Sequence, residues 1–283
     1  MRAGKFFRKL GPVLGLAMGV ALAGCDSNMD MKFNGEEGVP LAELDMSGAA
    51  PTTLAIAGPD LVRITEGDTL AITVEGDTEA TDTLRFVLKD GTLGIAREDG
   101  WKGGGIATVN VTMPAPSEIA IGASGSVETP TMAKDASIAI GGSGSVNIAT
   151  LDADELSIAI GGSGKVMASG KATKLSLSVG GSGDLVAPDL QVQEADINIG
   201  GSGNAEFASD GTVNASIAGA GDIVVHGSAK CELSSFGSGK LTCQPRSNAA
   251  PAAQPAEAAE APEGPDAPDM PDAPEAPDAP TAG

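Results

Sequence analysis

From residue 118 to residue 241 apolar and polar positions alternate in short runs, and each run ends at a glycine-rich phrase such as "IAIGGSG", which occurs at 138–144 and again at 158–164. Taking the last glycine of each phrase as a marker gives Gly125, Gly144, Gly164, Gly183, Gly203, Gly221 and Gly239, spaced 19, 20, 19, 20, 18 and 18 residues apart. Six and four residues before the marker stand Ile119/Ile121, Ile138/Ile140, Ile158/Ile160, Leu177/Val179, Ile197/Ile199, Ala215/Ile217 and Leu233/Ser235. Two after it come Val127, Val146, Val166, Leu185, Ala205, Ile223 and Leu241. The residues between them are small or polar. A period of two means strands with one buried face, and it excludes a helix in these units.

A fixed repeat of this length signals a solenoid, in which no unit buries its own apolar face and stacking does so instead. At roughly 3.3 Å per extended residue, a coil of about 19 residues has a perimeter of about 60 Å, room for three short strands around a packed interior. Each strand pairs with its equivalent in the next coil, about 4.8 Å away. The expected fold is therefore all-β, a single-stranded parallel β-helix. The seven glycines are expected to be its corners, both because a sharp bend needs φ values closed to residues with a Cβ and because neighbouring coils crowd there.

Before the repeat, 52–113 reads as further alternating strands punctuated by "EGD", "KDG" and "EDG", expected to form the first coils and a cap. An uncapped β edge invites aggregation.

The two ends of the chain differ from this body. Residues 1–24 carry Arg2, Lys5, Arg8 and Lys9, then an apolar run too short to span a bilayer, which reads as an export signal. It ends in "LAGC", Leu22 to Cys25, which resembles the lipobox of bacterial lipoproteins. That resemblance implies lipidation of Cys25, palmitate among the acyl groups, with 25–44 as a tether; an ordinary signal peptide with a chance cysteine is the alternative. Acyl chains at roughly 0.8 kcal/mol per buried methylene hold a protein on a membrane. From 245 to 283 the chain is Pro, Ala, Asp and Glu, a composition with no core-forming residues, expected to be a solvated, disordered tail leaning to polyproline II.

The 283 residues carry 17 Lys and Arg against 38 Asp and Glu, and loss of the four signal-peptide cations leaves a mature net charge of −25. Nucleic acid is a poor partner for such a chain. With Cys25 lipidated, Cys231 and Cys243 remain as an even pair in an oxidising compartment, expected as a disulfide, with two buried free thiols as the alternative.

The run "TLRFVLKDGTLGIA", then "VNVTMPAPSEIAIGASGSV", then serial "GGSG" coils ending "SSFGSGKLTC", resembles the head GIN domain of the "putative autotransporter adhesin" family over roughly 45–244. The resemblance implies a right-handed β-helix in a bacterial envelope protein. It supplies no catalytic residues.

Candidate chemistry is sparse. "GGSGK" at 161–165 lacks the Ser or Thr and the helix that a phosphate loop requires. Asp184 and Asp222, with Asn204 between, fall at the wrong position and in too few coils for a stacked calcium cage, leaving a weak surface calcium site at most. His226 is the single histidine, expected at a solvated corner, and Trp101 is expected in a cap or loop rather than as a sugar platform. No paired carboxylates beside a cation mark a glycosidase or lyase. The flat Ala, Ser and Asn column five residues before each marker could face water or pack against a second copy.

The expected protein is a non-catalytic, lipid-anchored, extracytoplasmic solenoid of a Gram-negative-type envelope, with no cofactor or metal. It would act in display or binding toward a surface glycan or protein. A structural spacer and a weak glycan- or calcium-binding module are the alternatives. The sequence leaves open which membrane holds it and its oligomeric state.

Overall fold

The structure, a computed structural model, describes residues 38–245. Cys25, the export signal and the tail from 246 onward lie outside the described residues. Between them runs a parallel β-solenoid built on strands β1 (Thr53–Ile56), β2 (Leu61–Glu66), β3 (Ala71–Glu75), β4 (Leu84–Lys89), β5 (Thr92–Arg97), β6 (Thr108–Met113), β7 (Glu118–Ile121) and β8 (Ser126–Thr129). They are followed by β9 (Asp135–Ile140), β10 (Ser145–Ile160), β11 (Lys165–Val179), β12 (Asp184–Ile199), β13 (Asn204–Ile217), β14 (Asp222–His226), β15 (Lys230–Ser235) and β16 (Lys240–Gln244). One helical turn, α1 (Thr78–Thr81), lies between β3 and β4.

The long strands are bent, and their burial shows three sides per coil. In β10 the inward residues are Val146 and Ile148, then Leu151 and Ala153, then Leu156, Ile158 and Ile160, with exposed pairs at Ala149–Thr150 and Asp154–Glu155 marking two corners. The third corner is the glycine phrase. We name the sides by β10: side A at 155–160, side B at 145–148 and side C at 151–153. Register carries each inward column into the next coil, as in Ile138↔Ile158↔Leu177↔Ile197 on side A and Val127↔Val146↔Val166↔Leu185 on side B. Burial of each such side chain stabilises by roughly 1.5–3 kcal/mol.

All seven marker glycines are buried, but the expected reason for them is half right. None of the seven has a left-handed φ. The cause is crowding alone: a Cβ at Gly144 would lie 2.5 Å from Ile121 Cγ2 and 2.6 Å from the Gly125 carbonyl oxygen. At Gly164 it would lie 2.5 Å from Ile140 Cγ2. The corner of each coil rests on the bare backbone of the corner beneath it and against a β-branched side chain of that coil, an isoleucine at six of the seven markers and Val179 at Gly203. A left-handed turn is needed elsewhere, at Asp90 (φ 49°) and Gly91 (φ 75°), the two-residue type I′ hairpin that joins antiparallel β4 and β5.

The first coils do not follow chain order. On side A, β1 is flanked by β5 and β7, and on side B, β2 is flanked by β6 and β8, all parallel. The chain therefore starts in the second coil, moves outward to make the first, and returns to the third. The return is the segment Pro114–Ser117, which bends at both ends and is held where the Ser117 amide donates to Thr52 O at 2.8 Å. On the way out the chain leaves two antiparallel strands, β3 against β6 and β4 against β5, and Val39 bridges Phe86 on β4.

A buried pair not foreseen in the sequence ties this cap to the solenoid. Asp60, in the turn between β1 and β2, is fully buried and accepts from Arg97 Nε at 2.9 Å, from Arg97 Nη2, and from the Ala107 amide at 2.9 Å. Arg97 Nη1 also donates to Ala80 O, at the helical turn. Trp101 packs in this cap with the Arg97 guanidinium 4.9 Å from its ring centre. Its indole N–H is buried with no hydrogen-bond partner among the described residues.

Candidate binding surface

At the C-terminal end the last coil is incomplete among the described residues. It has side A (β15) and side B (β16), and the described chain ends at Pro245, before a side C. The Cys231–Cys243 disulfide joins the start of β15 to β16, with Cα atoms 6.7 Å apart, and so closes the ring where the third side would run. Nothing stacks beyond this coil among the described residues. Its inward positions are accordingly uncovered: Leu233 is 43% exposed and Ser235 is exposed, although both continue columns that are buried in every coil before them.

Beside this end, on side A, a groove of about 280 Å³ is lined by Asp196, Asn198, Asn214, Ser216, Glu232 and Ser234, with Ile197, Ala215 and Leu233 in its floor. Asn214 Nδ2 donates to Asp196 Oδ1 at 3.1 Å, which orients both groups. The polar residues come from three successive coils because they are the outward positions of β12, β13 and β15, held in register as Asp196↔Asn214↔Glu232 and Asn198↔Ser216↔Ser234. Farther up the same face Glu118 occupies the outward position of β7, where burial pushes its carboxyl above the usual range.

The other singled-out residues have structural partners. The column after the marker glycines is a side-chain ladder in which Asp184 Oδ1 accepts from the Asn204 amide at 3.1 Å, Asn204 Oδ1 from the Asp222 amide at 3.1 Å, and Asp222 Oδ1 from the Lys240 amide at 3.1 Å. Those oxygens cap strand starts in the next coil, and no group of three or more His, Cys, Asp or Glu suited to a metal comes together among the described residues. Lys165 of "GGSGK" opens β11, on a strand. His226 is the last residue of β14, at the corner just before Gly227, and it is partnered there: its Nε2 lies 2.8 Å from Glu206 Oε1. On side C, the Lys134 ammonium at 2.9 Å, seconded by Lys171 at 3.4 Å, holds the Asp152 carboxyl below the usual range.

A second recess of about 430 Å³ lies in the N-terminal cap, lined by Pro40, Leu41, Ala42, Val74, Thr81, Asp82, Leu84 and Phe86. It formed where the helical turn and β3 meet β4, and the sequence pattern carried no sign of it.

Among solved structures, one described as a "putative adhesin" from Bacteroides fragilis is similar at 20% identity and TM-score 0.63, covering 69% of this chain and 92% of that one. One described as a "putative lipid binding protein" from Parabacteroides distasonis is similar at 22% identity and TM-score 0.56, covering 69% and 93%. A "putative adhesin" from Parabacteroides merdae is similar at 17% identity and TM-score 0.53, covering 69% and 92%. At these identities the likeness is one of fold. No curated protein matches the chain. The family model for "Putative auto-transporter adhesin, head GIN domain" matches residues 50–229, more than half of the 283 residues, and the chain belongs to that family.

Proposed function

We propose that this protein is a non-catalytic envelope lipoprotein that displays a binding surface at the C-terminal end of its solenoid, an adhesin in the broad sense. The observation that carries the reading is the contrast in exposure along the rod. On side A its inward apolar columns are buried from Leu54 to Ile217, and then Leu233 opens to solvent in the lining of the polar groove. Cys25 is the proposed lipid site. The chain enters the solenoid at Val39, on the outermost strand of the opposite end. A tether from Cys25 would therefore attach at the capped end and direct the groove away from the membrane. The family description and two of the similar structures support the same reading.

Protease or biotin labelling of intact cells tests it. Labelling without permeabilisation is the expected result. A protein reached only after permeabilisation overturns the adhesin reading and leaves a spacer within the envelope. Cys25→Ser is expected to abolish metabolic labelling with palmitate and to release the protein from membranes.

The cap recess favours a second reading, since its Leu41, Val74, Leu84 and Phe86 side chains suit an apolar ligand and one similar structure is described as a lipid-binding protein. Displacement of a fluorescent fatty acid from the purified chain would support it, and an unchanged signal up to millimolar protein would remove it.

A further inference from the structure

The outward columns of side A change character along the rod. Seven residues before the markers stand Glu118, Ser137, Ser157 and Ser176, then Asp196, Asn214 and Glu232; five before stand Ala120, Ala139, Ala159 and Ser178, then Asn198, Ser216 and Ser234. Apart from Glu118 at the far end, the earlier coils present methyls and hydroxyls. The last three present carboxylates and amides, and the groove lies over those three.

These groups form a rigid mesh. Rungs are about 4.8 Å apart, and outward residues on one strand are about 6.8 Å apart, so donors and acceptors recur in two directions across the sheet. The carboxylates only accept, the asparagine amides both donate and accept, and the serine hydroxyls do either. That mixture matches a ligand that itself carries many hydroxyls.

Phe236, two residues beyond the groove-lining Ser234, is not itself in the groove's lining but adds an exposed aromatic ring at its end. The Phe236 amide donates to Ile217 O at 2.7 Å, so the ladder continues one residue past β15 and the period-two alternation places Phe236 on the same side as Glu232 and Ser234. The equivalent position in preceding coils holds Gly161, Gly180, Gly200 and Ala218, so the stacked coils put no long side chain over the ring. Phe236 is 89% exposed, the most exposed of the large hydrophobic residues among those described. An apolar ring face beside convergent polar groups provides both parts of sugar recognition, packing for the C–H face and hydrogen bonds for the hydroxyls.

The geometry points to a neutral oligosaccharide as the ligand of this groove, with Phe236 as the stacking platform and Asp196, Asn198, Asn214, Ser216 and Glu232 as the hydroxyl partners. The charge of the site selects the class: two carboxylates in a chain of mature net charge −25 repel uronates and sialates. The inference rests on the display reading above but names a ligand class that display alone does not require.

The test is a ¹H–¹⁵N titration of the full mature chain with cellohexaose, chitohexaose and mannohexaose, followed at the side-chain amides of Asn198 and Asn214. At least one of these probes is expected to shift both amides in a saturable way with a dissociation constant between about 0.1 and 5 mM, as suits an open groove. Phe236→Ala and Asn198→Ala, both at exposed positions, are expected to weaken that binding at least fivefold while leaving the thermal midpoint unchanged. Absence of shifts with all three probes overturns the inference. So does binding that both variants leave intact, a polyuronate that binds more tightly than the neutral probes, or calcium shifting these amides where sugars do not. If intact cells are labelled and none of the sugars binds, the display reading survives and only the sugar assignment fails.

Discussion

At the N-terminal end of the solenoid the outermost parallel strands, β5 and β6, are each covered by an antiparallel strand, and Val39 bridges the outer edge of β4. At the C-terminal end β15 and β16 have no strand beyond them among the described residues, and a disulfide closes the last coil instead. Both devices hold a terminal coil in place, but they leave different surfaces. The antiparallel strands extend the backbone hydrogen bonding by one strand and cover the core, with Val39 bridging part of the new outer edge. A disulfide restricts the unfolded chain and closes the ring without covering it. Under the proposed function, the first end would take the attachment and the second the contact.

If the cap depends on its buried ion pair, the largest effect belongs to Asp60→Asn. It leaves the Arg97 guanidinium buried with its counter-charge removed, a change that costs about 3–5 kcal/mol, read as a lower denaturant midpoint. A loss below about 1 kcal/mol would mean that strand pairing alone secures that end.

Removing the disulfide by Cys231→Ser with Cys243→Ser is expected to cost about 2–4 kcal/mol for a loop of this length. Because the disulfide holds only the last coil, amide exchange is expected to speed up in β15 and β16 while β10 to β12 stay protected. Uniformly faster exchange would contradict a local role.

Between the ends, Gly164→Ala forces a methyl against Ile140 and is expected to cost about 1–3 kcal/mol. Gly48→Ala, where nothing lies within 4 Å of the added carbon, should stay within about 0.5 kcal/mol of the parent. Equal melting curves for the two variants would refute crowding as the reason for the corner glycines.

The smallest effect concerns Glu118. Burial raises its folded-state pKa above the unfolded value, so its contribution to stability is present below the unfolded pKa and is lost as pH rises through the folded one. Glu118→Gln should therefore gain a few tenths of a kcal/mol over the parent at pH 7, after allowance for solvent screening. No gain is expected near pH 3. Melts at the two pH values check the sign.

The repeat was legible because each coil has the same environment as its neighbours. Ile138, Ile158, Leu177 and Ile197 occupy one column in space for the same reason that they recur in sequence. The disulfide was legible too, since Cys231 and Cys243 sit at positions whose equivalents face inward. The groove was partly so. Its residues stood in the outward columns, but a recess over only the last three coils depends on how three registers superpose. Arg97 was hidden in the alternating run "TLGIARE", where nothing marks a charge as buried until Asp60 is brought to it from 37 residues away.

The sequence by itself determined the strand period, the coil length, the stacking of like on like and the contrast between an apolar interior and an acidic exterior. These follow from local alternation and its repetition, which need no knowledge of distant partners. Only the tertiary structure decided that β1 lies between β5 and β7, that Asp60 meets Arg97, that β3 and β4 cover one end, and that Leu233 and Phe236 stand exposed at the other. Those outcomes depend on which edges are free when the first coils assemble. A period-two pattern is the same for parallel and antiparallel neighbours, so the choice among edges falls to side-chain packing and backbone satisfaction in three dimensions.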